Sequence, residues 1–278
     1  MSNTSDILDF YTGLKRGSNL SKNLISTVRD LTLIDISQEI KLVIACDSDG
    51  GIGSKPQDIV QVPERILGRF AVRVPLMEIF ASGAIPAVVV DTLAVEMNPS
   101  GIAIIEGIRE ELVLAGLDAD QMLTGSTEDN VPTVQTGLGV VVVGFVSEED
   151  FNPGGSKDQD VVVCVGMPKS APEDQVDLDD PDIADTICVR TLASLGYVHD
   201  ILPVGSKGVV HEQAELAKSA ELELLSETDP GIDIHKSAGP STCILVSLAM
   251  SDLNNLRKSI KQPIYVIGTL SGGNINEK

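Results

Sequence analysis

Residues 41–55 read KLVIACDSDGGIGSK. The stretch 41–46 is mainly aliphatic and of strand length, and it gives way abruptly to Asp47-Ser48-Asp49-Gly50-Gly51-Ile52-Gly53-Ser54-Lys55. This predicts a strand that feeds a glycine-rich loop. Glycines let a backbone approach a phosphate, Lys55 can neutralise one, and Asp47 or Asp49 can hold Mg²⁺ between protein and phosphate oxygens. The spacing is not that of a P-loop, because GxxxxGK[ST] is absent and acids precede the glycines. An ordinary polar turn would use the same residue types.

On the N-terminal side, 31–36 is a second strand-like run. On the other side, Pro63 and Glu64 open a helix in which Ile66, Leu67, Phe70, Val74, Met77 and Ile79 recur at helical spacing. Arg65, Arg69 and Arg73 share the opposite face, and Pro75 is expected to kink the helix or weaken its last turns. Glu78 lies near its end, before Ser82-Gly83. The apolar run 85–93 then predicts a strand that delivers Asp91 at its exit. Asn98-Pro99-Ser100 opens another helix, carrying Ile102, Ile105, Ile108, Leu112 and Ala115 on one face and stopped by Gly116. After Leu123 comes a third polar cluster, read as a turn. There Thr124, Gly125, Ser126 and Thr127 can wrap a phosphate, and Glu128 and Asp129 can add metal ligands. Three times, acids follow an apolar strand, and such ends can converge on one edge of a sheet. A divided acidic site of that kind suits a Mg-nucleotide.

A strand is expected at 136–146 and a linker at 147–159. Beyond it, strands are expected at 160–166, 242–248 and 264–270, and helices at 182–195, 212–225 and 251–259. The segment 171–185 holds seven acids and no base, which reads as a solvated loop. Asp233 to Thr242, with Lys236 and Ser237, is a candidate substrate loop, and 205–208 is a similar one. No histidine has metal-ligand spacing, no repeat is visible, and the four cysteines, far apart, read as buried thiols.

The 278 residues, 29.4 kDa, carry 20 Lys+Arg against 41 Asp+Glu, a net charge of −21. Such a surface repels nucleic acid and anionic lipid, and an anionic substrate would need a bridging cation. Aromatic residues are only 3% with no Trp, which disfavours stacking on single-stranded nucleic acid. The N-terminal MSNTSDILDFYTGLKRG has a small basic cluster (Lys15, Arg16, Lys22) and no apolar signal core, so a cytoplasmic α/β protein is expected, with no nucleic-acid or membrane partner.

In order and separation, DGGIGSK, LMEIFASGAIPAVVVDTLA and LTGSTEDNVP resemble the aminoimidazole ribonucleotide synthetase-like superfamily, over roughly residues 40–145. The group includes thiamine-monophosphate kinase, selenophosphate synthetase and a hydrogenase-maturation dehydratase. Its members carry an acid–glycine–GTK loop, an Asp before a GA-x-P step, a strand ending in Asp and a GG-acid-T turn. On that pattern Gly53-Ser54-Lys55 matches GTK and Asp91 the strand-end Asp. Glu78 stands where the helix Asp would be, and Asp47 or Asp49 takes the first acid. Thr124 replaces the first Gly of the turn, Ser126 stands at its acid, and Glu128 falls on a second acid seen in the synthetase.

The resemblance implies an α/β fold of the α+β plait type with two domains. Domain 1–148 would bind ATP and Mg²⁺ and pair its sheet with a second subunit's into a barrel; domain 149–278 would cover the substrate. It implies Asp47, Asp49, Glu78, Asp91 and Glu128 as metal ligands and Lys55 with Asp47 as catalytic. Gly50, Gly51, Gly53, Ser54, Lys55 and Thr124–Thr127 would bind nucleotide, and Lys236 and Ser237 would touch substrate. None of the first 45 residues is Cys, unlike selenophosphate synthetase, and the chain ends GGNINEK without the maturation protein's Cys. The segments IACDSDGGIG, LTGSTEDNVPT and KSAGPSTC look most like the α-ribazole kinases of cobalamin salvage. That implies transfer of the ATP γ-phosphoryl group to a nucleoside-like alcohol by a homodimer. Thiamine-monophosphate kinase, or an ATP-binding regulatory relative without turnover, is the alternative.

Overall fold

Two antiparallel-rich sheets, each formed by one half of the sequence, share one long helix between them. The computed structural model describes residues 4–16 and 25–272; Lys22 and the segment 273–278 lie outside it. A first helix, α1 (Thr4–Lys15), precedes the sheets. The first half supplies β1 (Ile25–Val28), β2 (Leu31–Asp35), β3 (Ile40–Gly50), the short β4 (Ile52–Gly53) and β5 (Val60–Gln61), and α2 (Glu64–Ala81). It continues with β6 (Ile85–Leu93), α3 (Ile102–Leu114), α4 (Ala119–Met122), β7 (Leu123–Thr127) and β8 (Gly137–Ser147). The six-stranded sheet runs β1-β2-β3-β8-β6-β7, with β6 and β7 parallel and every other pair antiparallel.

The second half supplies β9 (Asp160–Gly166), α5 (Thr186–Ser194), β10 (Val198–Pro203), α6 (Gly208–Ser219), β11 (Glu223–Ser226), β12 (Cys243–Ala249), α7 (Leu253–Ser259) and β13 (Ile264–Ser271). Its five-stranded sheet, β10-β12-β9-β13-β11, is antiparallel throughout. Central β9 is buried at every position, which is why DVVVCVG is apolar without alternation.

Helix α2 belongs to both cores. Leu67, Ala71, Val72, Leu76 and Ile79 pack against the first sheet and α3, while Met77 and Ala81 join the core of the second sheet. The arginine face goes from an exposed Arg65 through a half-buried Arg69 to a buried Arg73. Glu111 of α3 accepts hydrogen bonds from Arg69 Nε at 3.0 Å, Arg73 Nε at 2.9 Å and Thr186 Oγ1 at 3.1 Å. One carboxylate therefore ties three helices together.

Several expectations are corrected. Strand β3 does not stop at Cys46 but runs to Gly50, because Asp47–Gly50 continue the ladder with β8. The turn expected at 124–127 is strand β7, an edge strand hydrogen-bonded to β6. Pro75 is buried inside α2, which continues to Ala81. The helix expected at 212–225 starts earlier, at Gly208, and ends at Ser219, leaving β11 where its last turns were placed. Cys164, Cys188 and Cys243 are buried, but Cys46 is exposed on the outer side of β3.

Candidate functional site

Extension of β3 through its acids fixes their direction. Side chains alternate along a strand, so Asp47 and Asp49 share one face and Ser48 takes the other. Register then carries the pattern across the sheet. Asp47 lies opposite Val140, Val140 opposite Asp91, and Asp91 opposite Gly125. The next row on the same face is Asp49, Leu138, Leu93 and Thr127. This is the face that α2 covers. Asp91 is only 3% exposed, and a Cβ at Gly125 would lie 2.2 Å from its Oδ1, so the carboxyl leans over β7 where only glycine leaves room. Thr124 and Ser126, by contrast, fall in the rows of Cys46 and Ser48, on the opposite face. The expected phosphate-wrapping quartet is therefore split between two faces.

These carboxyls are short of water and of cations. Burial pushes Asp91 up to about 6. Burial, with Asp47 beside it, pushes Asp49 up to about 7, and Asp49 Oδ2 is buried without a hydrogen-bond partner. Asp47 is also raised by burial, against a hydrogen bond from the Ser48 backbone. Glu78 stands in the last turn of α2. Its charged neighbours are Asp30 in the β1–β2 turn, Glu212 on α6, Arg29 and Asp47. Burial first, then Asp30 and Glu212, push it up to about 8. Glu212 is raised to about 7 by burial and Asp30. The charge of Asp47 thus bears on both Asp49 and Glu78. Sequence reasoning missed Asp30 and Glu212. Asp30 is a turn residue between two strands and Glu212 a helix acid, and neither carries a local signal.

Lys55 is already engaged: its Nζ donates to Glu96 Oε1 at 2.9 Å and Oε2 at 2.7 Å, and to Thr133 O at 3.3 Å. Ser54 Oγ donates to the Glu64 carboxylate. The loop between β4 and β5 is pinned by Asp58, which accepts from Lys55 N at 2.8 Å, Thr136 N at 2.7 Å and Thr136 Oγ1 at 2.7 Å. Gly53 has φ 149°, and a Cβ there would lie 2.4 Å from Thr136 Oγ1, so the loop's path depends on that glycine. Glu128 Oε1 accepts from Asn130 N at 2.7 Å, a local turn beyond β7.

Above Asp47 and Asp49 lies a cavity of about 350 Å³. Leu67, Phe70 and Val74 of α2 form its apolar wall, and Ser206 and Ser237 stand on the side of the second half. Lys236 is not free to meet a ligand, because Nζ holds Asp174 Oδ1 at 2.6 Å.

The donor set fits a hard divalent cation, since every group is a carboxylate and one buried oxygen lacks a partner. Among the described residues no three acids, histidines or cysteines stand together closely enough to hold a metal by themselves. Phosphate oxygens and water would have to complete any such coordination.

No family model matches the chain, and no curated protein matches it in sequence. Solved structures do match. Thiamine-monophosphate kinase from Stenotrophomonas maltophilia K279a has a TM-score of 0.62 at 16% identity, over 93% of this chain and 92% of that one. AaThiL complexed with AMPPCP and TMP has a TM-score of 0.61 at 13% identity, over 94% and 91%. The HypE–HypF complex gives 0.64 at 15% identity, over 87% of both chains. This chain has their fold. The agreement extends the expected plait over both halves of the sequence, well beyond residues 40–145, while identities of this size bear on fold alone.

Proposed function

We propose that the protein is an ATP- and Mg²⁺-dependent phosphotransferase acting on a small nucleoside-like alcohol, with α-ribazole the acceptor that the sequence resemblance implies. The observation that supports it best is that Asp47, which begins the row Asp47–Val140–Asp91, and Asp49 with its unpartnered oxygen both line a cavity of about 350 Å³. Phosphoryl transfer rests on positioning and charge neutralisation, so no dedicated base is required. Asp47, Asp49 and Asp91, with Glu78 a further candidate, would share Mg²⁺ with phosphate oxygens and water rather than hold it by themselves. When bound, Mg²⁺ supplies neutralisation of phosphate charge. The chain's own contribution is to keep water out under α2 and to present the glycine-rich backbone at Gly50–Gly53. Domains 1–148 and 149–278 and a homodimer formed through the first sheet belong to the same reading, as does a cytoplasmic location. No described helix is long and apolar enough to cross a membrane.

Calorimetry with ATP in excess chelator, then with Mg²⁺ restored, tests the proposal. Binding is expected only with Mg²⁺, because buried carboxylates and a net charge of −21 oppose free ATP. Equal affinity in both conditions would refute the shared cation. A thiamine-monophosphate kinase activity is the second reading, favoured by the likeness to AaThiL, which was solved with AMPPCP and TMP. A phosphorylation screen containing α-ribazole and thiamine monophosphate separates the two.

A further inference from the structure

The acidic segment that follows β9 has a fixed stem and a loosely held tip. At the stem, Met167 N donates to Asp182 O at 2.8 Å, which closes residues 167–182 into a compact surface loop. Lys169 N donates to Thr242 Oγ1 at 2.9 Å and Lys169 O accepts from it at 3.0 Å, so the stem is fastened beside the start of β12. Lys169 Nζ holds Asp180 Oδ2 at 2.6 Å, within the loop. The tip is different. No residue from Ala171 to Asp182 is buried. Among the described residues, one side-chain pair alone joins 171–179 to a residue outside the loop by a hydrogen bond or ion pair: Lys236 Nζ donates to Asp174 Oδ1 at 2.6 Å. Ser170 N donates to the other oxygen, Asp174 Oδ2, at 2.8 Å, which fixes the orientation of the carboxylate. The bond from Lys236 holds the Asp174 carboxyl below the usual carboxylate range.

This tip lies on the cavity above Asp47 and Asp49. Ser170, Ala171 and Val176 line it together with Val74 of α2, and Ser237, next to Lys236, lines it from the loop 233–242. The acidic loop is therefore a wall of the cavity that belongs to neither sheet. Six acids stand between 173 and 182 and repel one another at short range. Lys236 offsets that repulsion at the tip, as Lys169 does at the stem. A segment with no buried residue and a single outside tie can open locally while the stem and the sheets stay folded.

We propose that residues 167–182 form a lid over this cavity, latched by the pairing of Asp174 with Lys236, and that opening of the latch admits ligand. The test needs no ligand, so the lid stands or falls apart from the phosphotransferase reading. A thiol is placed on the cavity wall by Val74→Cys, in a chain whose exposed thiol is removed by Cys46→Ser, and its reaction with N-ethylmaleimide is followed by mass spectrometry. Cys164, Cys188 and Cys243 are buried, so their labelling in the same samples reports general loosening. In this background Asp174→Asn and Lys236→Met are each expected to speed labelling at position 74 by about 5-fold or more, the effect of losing one half-buried ion pair on a local opening equilibrium. The two changes together should add nothing further, because either one already removes the latch. Labelling at position 74 that these variants leave unchanged, that rises only in step with the three buried thiols, or that rises additively in the double variant overturns the proposal. So does a thiol at position 74 that reacts, with the latch intact, as fast as cysteine free in solution.

Discussion

Asp91 and Asp58 are buried acids whose surroundings push them in opposite directions. Burial raises the Asp91 carboxyl to about 6 in the folded protein, against roughly 3.9 for an exposed Asp. The fold therefore favours the protonated group. That contribution is fully present below about pH 4 and is lost as pH rises through the folded value. Asp91→Asn is accordingly expected to abolish phosphoryl transfer yet match or exceed the wild-type melting temperature at pH 8 in Mg²⁺-free buffer, with any gain disappearing near pH 4. Calorimetric scans at both pH values check this. Asp58 has the opposite sign. Burial alone would raise it, but hydrogen bonds from Thr136 and the Lys55 backbone bring it below the usual carboxylate range. Its contribution is present above about pH 4 and falls away as pH drops through the lowered value. Asp58→Asn should cost about 1–3 kcal/mol at pH 7 and flatten the acid limb of the stability profile measured in urea. Of these two, Asp91 was legible in the sequence because it ends a Val-Val-Val run. Asp58 was not, since its partner Thr136 lies 78 positions away.

Elements were legible where hydrophobic periodicity is strong and obscure where tertiary pairing decides. Strand β6 and strand β9 have the predicted limits, because each is built around a run of three consecutive valines. Strand β7 was hidden. LTGST has no apolar alternation, and it is a strand only because β6 offers it a free edge. The polar tail of β3 was hidden for the same reason, its ladder to β8 overriding the turn chemistry of Asp-Ser-Asp-Gly. The placement of Glu78 needed the helix α2 and the remote hairpin together. Helix α2 is itself held by Glu111, which is 0% exposed and shared by Arg69, Arg73 and Thr186, while Arg73 Nη1 already lacks a partner. Glu111→Ala should destabilise by about 3–5 kcal/mol, since it strands a buried guanidinium. The paired change Arg73→Met with Glu111→Leu is expected to recover much of that loss, because it removes both charges together. Urea titrations of the single and double variants measure the difference.

At the scale of the whole molecule, the first sheet has two unlike faces. One is covered by α2. The other carries Ile34, Leu42, Phe145 and Ile85 in one row, and Thr32, Ile44, Val143 and Val88 in the next. Cys46, Val141, Val90 and Thr124 form a third row. None of these residues is charged, in a chain of net charge −21. Ile85 is 74% exposed, Phe145 43% and Val88 40%, so this apolar face meets solvent in a single subunit. A contiguous patch of that kind marks an interaction surface. A second copy of the same sheet is the occupant that the fold itself can supply, and a two-fold pairing would bury both faces at once. Sedimentation at low micromolar concentration should show a species near twice 29.4 kDa. Phe145→Asp, between Leu42 and Ile85 in the first of these rows, should shift it to the monomer mass without unfolding the chain, because the side chain has no role in the α2-facing core. Repulsion between two acidic subunits is longer-ranged at low ionic strength, so the dimer should tighten as salt rises. A wild type that sediments as a monomer at every salt concentration would refute the pairing. A dimer that dissociates on adding salt, or that survives Phe145→Asp, would place the contact on a charged surface elsewhere.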